Sequence, residues 1–213
     1  VTLTMRNATD GFDGTAAALV SGGFVGVESV AGGSGTNTLT GINANSTWTI
    51  GVTNDYAENA DLGNTLAFSG IGSAIGRAGV DAFNVADLTS LNLSGGVNND
   101  VFSVSSNAAV SGSLNGDAGD DTFTFSGAVN VPAGLDGGAD SDTVSFAGSV
   151  VSVSINLDTF RNVEMVTGST LNDTIVGSTG DDNFSVTGAT NNRGVVSGVT
   201  GVTTSFVSFE NLS

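Results

Sequence analysis

A glycine- and aspartate-rich turn that recurs at regular intervals constrains this 213-residue chain more than any other feature. The clearest copy is GDAGDDTFTF at residues 116–125. It fits the pattern G-G-x-G-x-D-x-U-x, where U is a large apolar residue, with Asp117 in place of the second glycine. Glycine allows a tight turn with positive φ and a close approach of the backbone to an ion. The residues after the turn alternate between apolar and polar, which predicts a half-buried strand.

The same order of residues returns along the chain. The other copies are GGSGTNTL at 32–39, GRAGVDAF at 76–83, GGVNNDVF at 95–102, GGADSDTV at 137–144, GSTLNDTI at 168–175 and GSTGDDNF at 177–184. The first glycines at 76, 95, 116 and 137 are 19, 21 and 21 residues apart, whereas those at 168 and 177 are 9 apart. A repeat of about 20 residues is typical of one coil of a parallel β-solenoid. We therefore predict an all-β chain that forms a parallel β-solenoid (β-roll or β-helix) of roughly 20-residue coils.

The repeats also predict how the chain is organised. We expect a single β-solenoid over residues 1–213, with a less regular amino-terminal part at 1–31 and degenerate glycine-turn repeats from 32 onward. A second motif, F-x-x-[VF]-E-x-[VLM], begins at Phe24, Phe160 and Phe206. Its first two copies precede a glycine turn, and its third copy ends where the next turn would begin. We expect the chain to be a segment of a longer repetitive protein.

Stacking of successive coils predicts three inward columns of apolar side chains. They contain Phe83, Phe102, Phe123, Val144 and Phe184; Val85, Val104, Phe125, Phe146 and Val186; and Leu93, Leu114 and Leu135. Residues between them, such as Ser103 and Thr124, are expected to face solvent. Trp48 is expected in the core, and residues 55–66 are expected to form an irregular excursion from the repeats.

The charge of the chain excludes several classes of partner. The net charge is −17, from 21 acidic residues against 4 basic ones, and all four are arginines. Nucleic acids and anionic lipids both require cationic patches, so we expect neither as a partner. No apolar run is long enough to span a membrane, so membrane insertion is not expected. The absence of cysteine excludes disulfides and thiolate metal sites.

The position of the carboxylates predicts a calcium site. Aspartates in stacked turns would repel one another, and a divalent cation between adjacent turns would reverse that effect. Calcium prefers oxygen ligands, which carboxylates and backbone carbonyls both provide. The predicted principal ligands are Asp81, Asp100, Asp121, Asp142, Asp173 and Asp182. Supplementary candidates are Asp117, Asp120, Asp140 and Asp181, and Asn37, Asn98, Asn99 and Asn172 could add oxygens.

A simpler interpretation of these residues remains open, because Asp and Asn also favour Asx turns without any metal. The turn at residues 32–37 has Asn37 in the place of the aspartate, and we expect it to be a capped bend without metal.

The turn sequences, above all GDAGDDTF at 116–123, resemble the haemolysin-type calcium-binding repeats of repeats-in-toxin proteins. The resemblance covers most of residues 24–213, with copies spaced mostly by about 20 residues and several copies lacking a glycine. It implies a parallel β-roll with Ca²⁺ between turns, in a protein secreted by bacteria. The segments DGFDGT at 10–15, TLTGINANSTW at 38–48 and FENL at 209–212 also resemble the large repetitive surface proteins and adhesins of bacteria.

Three functions are open to such a chain. The first is a calcium-stabilised extracellular structural module of an adhesin, surface layer or filament, with head-to-tail self-association or neighbouring repeats as partners. The second is a solenoid face that binds a surface glycan or ice, for which Trp48 and threonine pairs such as Thr122 and Thr124 are candidates. The third is a β-helix polysaccharide lyase or epimerase. We expect no enzyme, because His and Lys are absent and the carboxylates belong to turns.

Overall fold

The computed structural model describes residues 1–212 except 8–10, 17–19, 61–63, 88, 106–108, 129, 131, 133, 189–191 and 198–202. Its strands are β1 (Thr2–Asn7), β2 (Gly11–Ala16), β3 (Val20–Val27), β4 (Ser29–Ala31), β5 (Thr38–Thr40), β6 (Ser46–Ile50), β7 (Asn54–Glu58), β8 (Leu66–Ser69), β9 (Ser73–Ala78), β10 (Asp81–Val85), β11 (Asn92–Val97), β12 (Val101–Val104), β13 (Leu114–Ala118), β14 (Thr122–Gly127), β15 (Leu135–Ala139), β16 (Thr143–Ser149), β17 (Ser154–Asn156), β18 (Phe160–Arg161), β19 (Met165–Thr167), β20 (Thr174–Val176), β21 (Asn183–Gly188), β22 (Arg193–Ser197), β23 (Thr204–Val207) and β24 (Asn211–Leu212). Within these described ranges the chain is all-β, and no helix is long and apolar enough to cross a membrane.

Two parallel ladders form the centre of the fold. Strands β9, β11, β13 and β15 pair in parallel in a first sheet. Strands β10, β12, β14 and β16 pair in parallel in a second sheet. The glycine turns at 76, 95, 116 and 137 each join a strand of the first sheet to one of the second, so the spacing of 19 to 21 residues sets equivalent side chains side by side. This largely parallel arrangement is compatible with a β-solenoid.

The apolar side chains of the repeats stack in the interior, as the alternation predicts. Phe102 is fully buried, and its ring lies 4.7 Å from the ring of Phe83 and 4.6 Å from that of Phe123, nearly parallel to both. Trp48 is also fully buried and stacks on Phe83 at 5.6 Å. Offset stacking of this kind adds to the stabilisation that burial alone gives. The predicted positions of these residues in the core are confirmed, as is the column of Leu93, Leu114 and Leu135.

Two members of the predicted columns lie elsewhere. Phe184 is only partly buried and Val186 is 62% exposed, because both belong to β21, which pairs antiparallel with β22. The parallel ladder instead continues from β16 to β19 and then to β23. Val166 and Phe206 therefore occupy the positions that were predicted for Phe184. Strands β21 and β22 instead add to the edge of this sheet as antiparallel strands next to β23, which the alternation of β21 does not reveal.

Antiparallel strands also occur near the amino-terminal end of the ladders. Strands β1, β2 and β3 pair antiparallel, as do β6, β7 and β8. The second set includes part of the predicted excursion at 55–66, where Tyr56 packs edge-on against Trp48 with the rings 4.5 Å apart. Packing of Tyr56 on Trp48 explains why Asn54–Glu58 form strand β7 and not the irregular excursion that we predicted. A third, parallel sheet contains β17, β20 and β24.

Candidate metal centre

The glycine turns of the parallel ladders share one backbone conformation. We number the six residues of G-G-x-G-x-D from one to six, so that Gly116 is position one and Asp121 is position six. Positions two and four have positive φ in each of the turns at 76, 95, 116 and 137: Arg77 (91°), Gly79 (146°), Gly96 (115°), Asn98 (78°), Asp117 (77°), Gly119 (133°), Gly138 (115°) and Asp140 (81°). Few residue types other than Gly, Asn and Asp adopt this conformation at low cost. The turn therefore explains the glycines of the pattern.

Position one requires glycine for a different reason. A Cβ on Gly95 would overlap the carboxylate of Asp100 from the same turn and the carbonyl oxygen of Gly116 from the next repeat. The same overlap exists at Gly76, Gly116 and Gly137. The side chain at position six thus folds back over the first glycine, into the interior of its own turn.

The position-six aspartates form a buried column. Asp81, Asp100, Asp121 and Asp142 are each at most 1% exposed. One oxygen, Oδ1, accepts a hydrogen bond from the backbone N–H of the preceding repeat: Ser46 to Asp81 (2.9 Å), Asp81 to Asp100 (2.7 Å), Asp100 to Asp121 (2.7 Å) and Asp121 to Asp142 (2.8 Å). At the end of the column, the N–H of Asp142 donates to Glu164 Oε2 at 2.7 Å. Each side chain therefore links two adjacent turns.

The second oxygen of each of these aspartates has no partner. Oδ2 of Asp81, Asp100, Asp121 and Asp142 is buried and makes no hydrogen bond within the protein. Each Oδ2 lies over the first glycine of its turn, on the same side as a carbonyl oxygen of the next repeat. For Asp81, Asp100, Asp121 and Asp142 this carbonyl oxygen belongs to Gly95, Gly116, Gly137 and Asn162, respectively. Carboxylates and carbonyls can only accept hydrogen bonds, so this arrangement brings acceptors together without a donor. A buried polar atom left in this state is costly.

Burial raises the pKa of all four carboxyl groups, because the charged form is poorly solvated inside the turn. The pKa rises to about 6 in Asp81 and Asp121, to about 7 in Asp142 and to about 8 in Asp100. Neighbouring carboxylates raise the pKa of the last three further, and backbone hydrogen bonds oppose the rise. A proton or a cation at Oδ2 would relieve the same cost.

The turns at 168 and 177 satisfy their aspartates internally. Asp173 Oδ2 accepts from the Ser169 N–H (2.5 Å) and hydroxyl (2.9 Å), while its Oδ1 accepts from Val153 N–H (2.8 Å). Asp182 Oδ2 accepts from the Ser178 N–H at 2.6 Å, and its Oδ1 accepts from the Ser178 hydroxyl at 3.1 Å. These two predicted ligands therefore have local donors from the serine at position two, and they lie outside the column of Asp81 to Asp142.

The supplementary candidates lie on the outside of the turns. Asp117, Asp120, Asp140 and Asp181 are all exposed. Asp120 Oδ1 accepts from the N–H of Ser141 in the next repeat at 2.9 Å, and Asp117 accepts from the hydroxyl of Ser94. Among the residues that the structure describes, no three acidic side chains converge to form a metal site on their own. Backbone carbonyls would have to complete any coordination shell in these turns.

Two glutamates of the F-x-x-x-E motif have a role that we did not predict. Glu164 takes the place of the next aspartate after Asp142, and Glu210 Oε2 accepts the N–H of Asp173 at 2.8 Å in the same way. The recurrence of the motif was the available signal, but its meaning depends on the register between repeats. Comparison of the chain with protein-family models, with curated proteins and with solved structures gave no match.

Proposed function

We propose that this chain is a calcium-stabilised β-solenoid that serves as an extracellular structural module. The observation that carries the proposal is the row of buried, unpartnered Oδ2 atoms at Asp81, Asp100, Asp121 and Asp142. A cation bound in these turns would neutralise the carboxylates and supply what the facing oxygens lack. The stability of the ladders would then depend on the cation.

Calcium is the cation that suits these donors best. The turns offer carboxylate and carbonyl oxygens, and the chain has no histidine or cysteine to favour zinc or copper. Calcium accepts irregular sets of six to eight oxygens, whereas magnesium requires a nearly ideal octahedron. Asp81, Asp100, Asp121 and Asp142 would hold the ions together with carbonyl oxygens of the same turns.

An extracellular location follows from the same proposal. Calcium sites of extracellular modules have dissociation constants of about 10⁻⁴ to 10⁻³ M, which match the supply outside cells. A net charge of −17 also favours an environment rich in cations. In an adhesin, surface layer or filament, further repeats or a second copy of the chain would continue the exposed sheet edges.

The outer face of the second sheet favours a structural role over an ice- or glycan-binding array. The outward column beside the phenylalanines contains Thr47, Ala82, Val101, Thr122, Thr143 and Met165 in register. Val101 is 38% exposed and Met165 is 45% exposed, so apolar side chains interrupt the row of hydroxyls. The only tryptophan of the sequence, Trp48, is fully buried and offers no stacking surface to a sugar.

The proposal is tested by thermal unfolding with and without calcium. An ion that binds only the folded chain stabilises it by about 1.4 kcal/mol per site at a tenfold excess over its dissociation constant, which is the excess that millimolar calcium has over about 10⁻⁴ M. We expect the melting temperature to be higher by ten degrees or more (on the order of four sites at about 2 to 4 °C per kcal/mol) in millimolar calcium than in chelator. Magnesium at the same ionic strength is the control for screening. An equal melting temperature in calcium and chelator would exclude the proposed role of the ion.

A further inference from the structure

The turn at 32–37 differs from the aspartate turns because its position-six side chain donates hydrogen bonds, whereas an aspartate carboxylate only accepts them. Asn37 Nδ2 donates hydrogen bonds to the carbonyl oxygens of Gly33 (2.8 Å) and Gly35 (2.9 Å), which are positions two and four of its own turn. The carbonyl oxygen of Gly70 also lies 2.9 Å from Nδ2, so one of the two amide hydrogens is shared between two acceptors. The reverse orientation of the amide would set its oxygen against three carbonyl oxygens, so the network fixes the donor in this place.

The amide nitrogen of Asn37 occupies the position that Oδ2 occupies in the aspartate turns. A Cβ on Gly32 would meet Asn37 Nδ2 and the carbonyl oxygen of Gly70, whereas one on Gly116 would meet Asp121 Oδ2 and the carbonyl oxygen of Gly137. The geometry around the first glycine is thus shared, but a donor stands in one turn where an unpartnered acceptor stands in the other.

We infer that the residue at position six decides whether a turn takes a cation. Asparagine holds the turn with its own amide hydrogens and leaves no place or need for an ion, whereas aspartate leaves buried acceptors that a bound cation would satisfy. The inference rests on the proposed function for the aspartate turns and adds the rule that selects among turns. It assigns the turn at 32–37 as cation-independent.

Serine at position two provides a second way for a turn to supply hydrogen-bond donors without a cation. Ser169 and Ser178 donate to Asp173 and Asp182, and Oδ2 of neither aspartate is left without a partner. The positions equivalent to these serines in the column are Arg77, Gly96, Asp117 and Gly138, all with positive φ, and their aspartates do have an unpartnered oxygen. Among the glycine turns that the structure describes, the rule therefore assigns cation binding to those at 76, 95, 116 and 137.

Two substitutions in the full chain test the rule in opposite directions. Asp121→Asn should reduce the calcium bound per chain by at least one ion and raise the melting temperature in chelator by several degrees, because Nδ2 gains the acceptors that Oδ2 faces. Asn37→Asp should lower the melting temperature in chelator and increase the gain on adding calcium. Isothermal titration with calcium chloride gives the stoichiometry, and circular dichroism gives the melting temperature.

The matched controls change the same charge at exposed positions. Glu28→Gln and Asn43→Asp change exposed side chains that are not among the predicted ligands, and they should alter neither the calcium count nor the rise in melting temperature that calcium gives. If Asn37→Asp fails to fold in chelator, calcium must restore the fold, and a failure to do so overturns the inference. If calcium raises the melting temperature of Asp121→Asn and Asn37→Asp by the same amount as that of the native chain, the rule is overturned but the proposed function stands. If the native chain has no calcium gain, the proposed function fails first.

Discussion

Raising the pH from 5 to 8 should destabilise the calcium-free chain. The pKa values of Asp81, Asp100, Asp121 and Asp142 in the folded chain lie at about 6 to 8, above the value of about 3.9 for an unfolded aspartate. Between pH 4 and these raised values, the folded chain binds more protons than the unfolded chain. The stabilisation that these protons give is therefore complete below about pH 4, and it is lost as the pH rises through about 6 to 8.

The size of the effect follows from the individual groups. Each proton that the folded chain binds in excess contributes about 1.4 kcal/mol per pH unit. Asp100, with a pKa of about 8, would by itself account for roughly 3 to 4 kcal/mol between pH 5 and pH 8. That is a large share of the 5 to about 15 kcal/mol by which typical domains are stable. The chain has no histidine or cysteine, the side chains whose ordinary pKa values lie closest to this range.

Urea unfolding in chelator at pH 5, 6, 7 and 8, at constant ionic strength, measures this dependence. Asp100→Asn is the matched variant, and it should reduce the slope by about 1.4 kcal/mol per pH unit while leaving the acceptor for the Asp81 N–H in place. Saturating calcium should flatten the profile of the native chain. A calcium-free stability that is constant or increases from pH 5 to pH 8 would show that these four carboxyl groups do not have raised pKa values in the folded chain.

Two further pairs of substitutions test the packing and the end of the column in saturating calcium. Phe102→Ala should cost about 3 to 5 kcal/mol of unfolding free energy because it removes the middle ring of a buried stack. Phe184→Ala should cost less than half as much because Phe184 is only partly buried. Equal losses would indicate that both rings lie in one buried ladder, which would contradict the structure. Glu164→Ala should cost about 1 to 3 kcal/mol because it leaves the N–H of Asp142 without its acceptor. Glu164→Gln keeps that acceptor and should cost clearly less, so a similar loss in both variants would show that the hydrogen bond is unimportant.

The sequence was sufficient to predict the central ladders because two independent signals agree there. The spacing of the glycine turns sets the register, and the alternation after each turn sets which side chains face inward, as in Phe83, Phe102 and Phe123. Phe184 follows a similar turn, but alternation is the same in parallel and antiparallel strands, and nothing in the local sequence signals the hairpin of β21 and β22.

The position-six aspartates were recognised as a set, but their differences required coordinates. The unpartnered state of Asp121 Oδ2 and the satisfied state of Asp173 Oδ2 depend on where the residue at position two directs its N–H and side chain. The serine that distinguishes the two turns is present in the sequence at Ser169. Its role becomes evident only when the distance to the carboxylate is known.

A high-resolution crystal structure of the chain grown with calcium tests the central claim most directly. We expect spherical density peaks in the turns at 76, 95, 116 and 137, within about 2.3 to 2.6 Å of Oδ2 and of carbonyl oxygens, with anomalous signal for calcium. We expect no such peak in the turn at 32–37, where Asn37 Nδ2 lies. If no peaks appear around Asp100 and Asp121 at saturating calcium, these aspartates do not bind the ion.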